Sequence, residues 1–517
     1  MQRLAMKPSR LLLATAGLAV SGMLAATNPA AAQNKMLTIV LQEEPGDFDL
    51  CQAMRSAQGR ILRQNVGEAL TKINPTDGTV TPLLATSWQQ VNDKTWRFNL
   101  RQGVKYHDGS PFNADTVVKA IKRTYDEPKL FCENRSKSGI KTGSITAKAV
   151  DANTVEISLD VPAPILPVVM GNVTMTHPAA PTDAFQTTKP IGTGPYVFDS
   201  FTTGQDVNLV RNPNYWGKQP EVEKARYIYR KESAVRAAMV KVGEADIAPT
   251  ITAEDATDPS MDSSYLNSET TRLRIEAQVP PLNDKRVRLA LNHAIDRKAL
   301  QGSVFSKNEL MATQHVVPSI AGHNHEIDKK VWPYDPVKAK ALLAEAKKDG
   351  VPVDAPLLIV CRLNQWPGAQ EAQEANMAYF KAIGLNVSLK CIDGAEHSKM
   401  NRKPYDANRG PILFQDMHDN NNGDAVFTVF TKYGCDGEQS TICSKELDAV
   451  VAKATAMPTG PERVKLFQEA FRMIYEDIVA DVPLFHMVGY TRVGKRINYK
   501  PSITTNTEVE LATIGIK

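Results

Sequence analysis

The sequence has no apolar run long enough to cross a bilayer. Residues 11–26 come nearest, but 16 residues interrupted by Ser21 and Gly22 fall short of the ~20 that a spanning helix needs. A retained membrane anchor is therefore not expected. An excess of one charge is also lacking, since 61 Lys and Arg stand against 57 Asp and Glu in 517 residues. Leaving out Arg3, Lys7 and Arg10 takes the net charge from +4 to +1. A chain this close to neutral has no basic footprint for a nucleic acid, so no such partner is expected. Equally missing are H-E-x-x-H, G-x-S-x-G, a Walker A loop and the dinucleotide glycine fingerprint. These absences favour a binding protein without a cofactor over an enzyme. A secreted hydrolase is the rival of another class, because many catalytic sites are assembled without local motifs.

What is present begins with a leader. The basic first ten residues, the apolar run and Ala30-Ala31-Ala32 together read as a signal peptide over residues 1–32. Cleavage there leaves 485 of the 517 residues, more than one core of about 250–300 residues holds. Two lobes or three domains are expected. No cysteine lies near the cleavage point, so a free periplasmic protein is expected rather than a lipid-anchored one. The hydrophobic share of 42%, the charged share of 23% and a mean hydropathy of -0.30 suit a soluble globular chain. All six cysteines follow the leader, as in proteins of oxidising compartments. Cys435 and Cys443 bracket a polar stretch and are expected to pair. The pairing of Cys51, Cys132, Cys361 and Cys391 is left open by the sequence.

Periodicity gives an α/β chain. Residues 36–42 read as a buried strand, and residues 59–70 take helical spacing through Ile61, Leu62, Val66 and Leu70. Residues 95–100 alternate, with Trp96, Phe98 and Leu100 on one face, and 145–150 with 154–159 flank a hairpin turn. From Asn283 the texture changes to an amphipathic helix capped by Asn283 or Asp284. Asp335-Pro336 opens another helix that runs to about Lys347. Residues 357–361, 369–382 and 385–391 then spell a β-α-β unit, which predicts a parallel sheet. Residues 464–478 form a last long helix by 3-4-3-4 spacing.

Two fragments suggest other chemistry. Ser138-Gly139-Ile140-Lys141 matches S-x-x-K and Lys141-Thr142-Gly143 matches K-T-G. In serine acyl-transfer enzymes those motifs lie far apart, whereas here one lysine would fill both roles. His323 and His325 are suited to a metal, yet no third ligand stands at a recognisable spacing. A solvated loop is the simpler expectation.

The ordered landmarks are more specific. Thr95-Trp96-Arg97-Phe98-Asn99-Leu100-Arg101, Gly103-Val104-Lys105-Tyr106-His107-Asp108-Gly109, Gly192-Thr193-Gly194-Pro195-Tyr196, Arg211-Asn212-Pro213-Asn214-Tyr215-Trp216 and Tyr334-Asp335-Pro336 follow one another along the chain. The series closely resembles the signature of the family 5 solute-binding proteins, which serve ABC importers of peptides and nickel. Most of these residues suit structural work: Trp96 and Phe98 bury area, and Asp115 can cap a helix beginning at Thr116. The resemblance implies a periplasmic binding protein of the two-lobed, Venus-flytrap type with an extra subdomain. Residues 33–278 are expected to form lobe 1, with the subdomain at roughly 75–190. Residues 279–484 are expected to form lobe 2, and 485–517 to return to lobe 1. It further implies a monomer that closes on a small-molecule solute and presents it to an inner-membrane ABC permease.

Peptide-binding relatives anchor the ligand's α-amino group with an aspartate just before an N-G-D-like turn. Here the turn is Asn422-Gly423-Asp424 and the residue before it is Asn421, with Asp419 two residues further back. That run offers amides and carboxylates for hydroxyl-rich solutes as well as amines. Arg362 stands where those relatives hold the ligand's carboxylate, and its guanidinium suits carboxylate or phosphate. Trp366 is placed to stack on a flat ligand group or to fill a core. Arg55 and Gln58 follow the first strand, where the local sequence departs from the relatives and can reshape the pocket wall. The expected ligand is a peptide. An anionic solute such as an opine or a sugar conjugate is the alternative.

Overall fold

The computed structural model describes residues 35–74, 78–138, 140–363, 365–420 and 422–517. Its frame is an 11-stranded mixed sheet. In spatial order the strands are Val387–Ile392, Leu357–Arg362, Ile412–Asp419, Asp262–Ile275, Asp481–Val493, Ile247–Ile251, Met36–Leu41, Lys224–Tyr229, Asp206–Arg211 and Tyr196–Thr202, and Leu310–Met311 pairs with the fifth of them. Asp262–Ile275 and Asp481–Val493 run antiparallel through the middle, and their register shifts between Leu266 and Thr270 and again before Arg272. On one side of these strands a core gathers Leu273, Leu291, Ile359, Phe380, Leu413 and Leu484. On the other, a core gathers Leu37, Ile39, Leu62, Tyr196, Tyr227 and Leu511. The molecule has two lobes, and the two central strands join them.

A separate four-stranded antiparallel sheet orders Ala85–Asn92, Thr95–Leu100, Thr154–Leu159 and Ile145–Asp151. The expected hairpin is its last pair. Phe98 and Leu100 are buried, whereas Trp96 is half-buried and donates through its indole to the Ala163 carbonyl at 2.7 Å. The helix Ala114–Tyr125 covers this sheet with Val117, Ile121 and Tyr125. Its cap is Asn113 rather than Asp115, because Asn113 Oδ1 accepts the Thr116 amide at 3.1 Å and Thr116 answers with its hydroxyl. Such a reciprocal box satisfies two amides at once.

Local signals elsewhere hold closely. Lys285–Ala294 is capped by Asp284, Pro336–Lys348 by Asp335, and Ala369–Ala382 is helical throughout. Leu357–Arg362 and Val387–Ile392 pair in parallel, the latter starting later than its apolar residues suggest. The last long helix is Pro461–Arg472, and a wider turn at Met473–Ile478 extends it. The expected helix at 59–70 departs most. It spans Ser56–Leu62 and stops because Arg63 turns extended and Gln64 takes a positive φ of 60°. Val66 and Leu70 are still buried, but from loop positions. The cause is the returning C-terminal segment: Asn65 donates to the Val509 carbonyl at 2.8 Å and accepts the Leu511 amide at 2.9 Å. Gly59 lets that segment approach, since a Cβ there would sit 2.2 Å from the Thr507 carbonyl oxygen.

Cys435 pairs with Cys443 as expected. The other disulfides are Cys51–Cys132 and Cys361–Cys391, the second joining residues directly opposite in the parallel pair. Among the described residues, no helix is long and apolar enough to cross a membrane. The leader at 1–32 lies outside them.

Candidate ligand-binding cleft

Ligands of open α/β sheets bind beyond the carboxyl ends of parallel strands. Here Leu357–Arg362 and Ile412–Asp419 run parallel with Val360 opposite Phe414. Arg362 lies two residues past that pair, and Asp419 ends the neighbouring strand further along the same edge. Arg362 is exposed and its guanidinium lies beside Gly394. Among the described residues it forms no ion pair. Asp419 accepts a hydrogen bond from the Ser268 hydroxyl of the central strand, so the strand joining the lobes is tied to this edge.

The turn after Asp419 is built for rigidity. Asn420 donates to the Asp424 carbonyl at 3.2 Å and to the Thr428 hydroxyl at 2.8 Å. Asp424 is buried and is gripped by Arg463 through Nε at 3.1 Å and Nη2 at 3.0 Å. Its carboxylate also accepts the Val426 amide at 2.9 Å, so it holds the turn instead of facing a solute. Asn422 is buried beside it, and Gly423 takes φ 82°. Asn421 lies outside the described residues.

Three other sequence candidates stand elsewhere. Trp366 packs on the second lobe's core, stacked on Phe305 with ring centroids 6.3 Å apart. Arg55 pairs with Glu133 at 3.4 Å, and Gln58 donates to Asp47 at 3.2 Å. Arg55 and Gln58 are thus tied to partners near the first strand and the Cys51–Cys132 bridge.

A cavity of about 300 Å³ opens beside Gly423, at the low end of ordinary ligand pockets, which start near 300 Å³. Its walls come from distant stretches: Arg63 and Lys72, then Ser319 and Gly423, then Glu508 and Glu510. The walls meet closely, for a Cβ on Gly78 would lie 2.8 Å from the Gly423 carbonyl oxygen. Lys72 pairs with Glu510 at 2.7 Å and Arg63 with Glu508 at 3.3 Å, the latter pair under 9% exposed on both sides. Burial pushes the Glu508 carboxyl up to about 7, although Arg63 draws it down. Arg63 uses Nε on Glu508 and Nη2 on Asn172, at 3.3 Å in each case. Its Nη1 is buried with no partner among the described residues, and so is the Ser319 hydroxyl across the cavity.

Of these wall residues, sequence reasoning singled out Gly423 alone, as part of the N-G-D turn. The polar triplet Arg63-Gln64-Asn65, set directly after the apolar Ile61-Leu62, was the one signal that a helix face gives way to chemistry there. Nothing local links it to Glu508, 445 positions on.

A family model described as bacterial extracellular solute-binding proteins, family 5 middle, matches residues 79–435. The chain is 27% identical over 503 residues to Di/tripeptide-binding protein 2 of Pseudomonas aeruginosa, covering 90% of this chain and 92% of that one. It is 26% identical over 507 residues to Heme-binding protein A of Haemophilus influenzae, covering 92% and 91%. Among solved structures it resembles HbpA2 from Haemophilus parasuis with a TM-score of 0.79 at 22% identity, covering 93% of this chain and all of that one.

Proposed function

The chain belongs to the family 5 bacterial extracellular solute-binding proteins, and from that premise we propose that it is the periplasmic receptor for a small solute bearing a carboxylate, a di- or tripeptide first. The ligand class is supported by the cavity wall, which carries Arg63 and Lys72 together with Glu508 and Glu510, and in which Arg63 Nη1 and the Ser319 hydroxyl have no protein partner among the described residues. A solute carboxylate meets the first and a solute acceptor the second. Walls charged in both signs also suit a zwitterion. Arg362 is the second cation for the ligand, and Asp419 with the Asn421 amide reads its amine or hydroxyl end. Asn422 and Asp424 support the wall at Gly423, and Trp366, Arg55 and Gln58, which do not line the cavity, back the surrounding structure.

The protein acts as a monomer that hands its solute, unaltered, to an inner-membrane ABC permease. Residues 33–278 and 485–517 form one lobe and 279–484 the other, with closure about the two central strands where their pairing shifts. Contacts from both walls exist only when the lobes are closed, so ligand favours the closed form. A non-peptide anionic solute is the second reading, favoured by the exposed Arg362 that no acid neutralises among the described residues.

Native mass spectrometry of the purified protein, followed by denaturation, identifies the bound molecule. Calorimetry then compares di- and tripeptides with their C-terminal amides. Tight binding of the free acids, at least tenfold weakened by amidation, is expected. Equal binding of both forms overturns the carboxylate anchor, and a co-purified solute without an anionic group overturns the ligand class.

A further inference from the structure

The loop that carries Ser319 leads into a second group of chemistry-bearing side chains. His323 closes a turn on Ile320 with its amide at 3.0 Å, and Asn324 then caps the short helix His325–Asp328. That helical turn supplies what the sequence spacing did not show, a third ligand. It brings Asp328 back to the two histidines, and the donor atoms of His323, His325 and Asp328 all lie within 4.8 Å of one another.

We propose that these three residues form a site for a divalent transition metal of the zinc class, with the remaining coordination position open to solvent. Zinc takes imidazole nitrogen and carboxylate oxygen at about 2.0–2.2 Å, so ligand atoms around one ion stand roughly 3.3–3.5 Å apart. Asp328 Oδ2 is 2.7 Å from His323 Nε2 and 3.7 Å from His325 Nδ1, distances that bracket this spacing. Small side-chain rotations reach it. His325 is free to make them, because its side chain is 64% exposed.

The surroundings orient the group as metal ligands are oriented. His323 is buried, its Nδ1 donates to the Val316 carbonyl at 2.9 Å, and its Nε2 faces Asp328 Oδ2 at 2.7 Å with the Gln314 amide nitrogen 3.2 Å away. Nε2 and Oδ2 stand 2.7 Å apart, a hydrogen-bonded pair whose place between the two atoms a metal ion would take. Asp328 Oδ1 is held by the Thr313 hydroxyl at 3.0 Å and the Gln314 amide at 3.1 Å. A ring nitrogen fixed by a backbone carbonyl and a carboxylate held through its second oxygen are the outer contacts that tune metal affinity. Behind His323, the buried ring of His486 lies 5.9 Å away, and its Nε2 has no partner among the described residues.

The test uses the purified protein stripped with chelator and dialysed. Zinc sulfate titrated by calorimetry is expected to bind one ion per chain, and cobalt(II) to give the visible bands of a low-coordinate nitrogen–oxygen site. Because His325 is largely exposed, His325→Ala leaves the fold intact and is expected to weaken zinc roughly tenfold or more. Thr313→Val, which removes only an outer contact, is expected to cost about 10–100-fold. The alternative, a simple His323–Asp328 ion pair, predicts that His325→Ala changes nothing. Zinc binding left unaltered by both His325→Ala and Asp328→Asn overturns the site, as does the absence of stoichiometric binding by the unmodified protein.

Discussion

Two buried arginines, one on a central strand and one beside the cavity, show how the same side chain serves opposite ends. Arg272 is 1% exposed, and all three of its terminal nitrogens are used, on Asp416 through Nε and Nη2 and on Asp481 through Nη1. Lys432 completes the group by pairing with Asp416 at 2.8 Å. Arg63 is 6% exposed, yet one of its nitrogens is left over at the edge of a cavity. Burial and ion pairing are common to both. What separates the two is the neighbouring space, since Arg63 lines a cavity and Arg272 does not.

Breaking each arrangement is expected to separate stability from binding. Arg272→Met leaves Asp416 and Asp481 short of a cation in a sealed interior, and stability in urea should fall by about 3–5 kcal/mol. Arg63→Gln should instead strike affinity, lowering binding of the anionic solute by about 2–5 kcal/mol in calorimetry. Its stability cost is smaller, since Glu508 can take up a proton when its partner is gone. Equal losses of stability in the two variants would erase the distinction.

The pH dependence sharpens the same contrast, because the carboxylates shift in opposite directions. Burial raises Glu508 from 4.5 to about 7, so its folded form holds a proton that the unfolded chain has released. Its stabilising contribution is whole below about pH 4.5 and is lost as pH rises through 7, by up to about 3 kcal/mol. Glu508→Gln should flatten that slope in denaturation curves run from pH 4.5 to 8. Asp416 behaves the other way: although burial opposes its charge, Lys432 and Arg272 hold its carboxyl well below the usual range. Its contribution is present at neutral pH and fades only in acid, below the ordinary value of 3.8. The smallest effect is expected at Arg362. Arg362→Ala should alter stability by less than about 0.5 kcal/mol and solute affinity by about 1 kcal/mol, because an exposed guanidinium is screened by water.

The sequence showed most of what is local. Alternation at Thr95–Leu100, the Asp284 and Asp335 caps and the helix Ala369–Ala382 each depend on neighbours within one or two turns. Pairings across the chain were hidden, since register between Cys361 and Cys391 is a property of the sheet. Trp366 shows the same limit at a single residue. Its chemistry allowed stacking on a ligand or packing in a core, and the Phe305 ring stacked on it was not legible from the sequence. Of the cleft, the N-G-D turn and Arg362 were visible as motifs. The cavity's other walls were not, because they join residues whose proximity depends on the end of the chain.

That dependence sets an order on assembly. Val509, Leu511 and Ile514 belong to the same core as Leu37 and Ile39, and Glu508 and Glu510 wall the cavity. Domains of a growing chain usually consolidate from the amino end. This core departs from that order, because Leu37 and Ile39 cannot be fully covered until Val509, Leu511 and Ile514, about 470 residues later, have been synthesised.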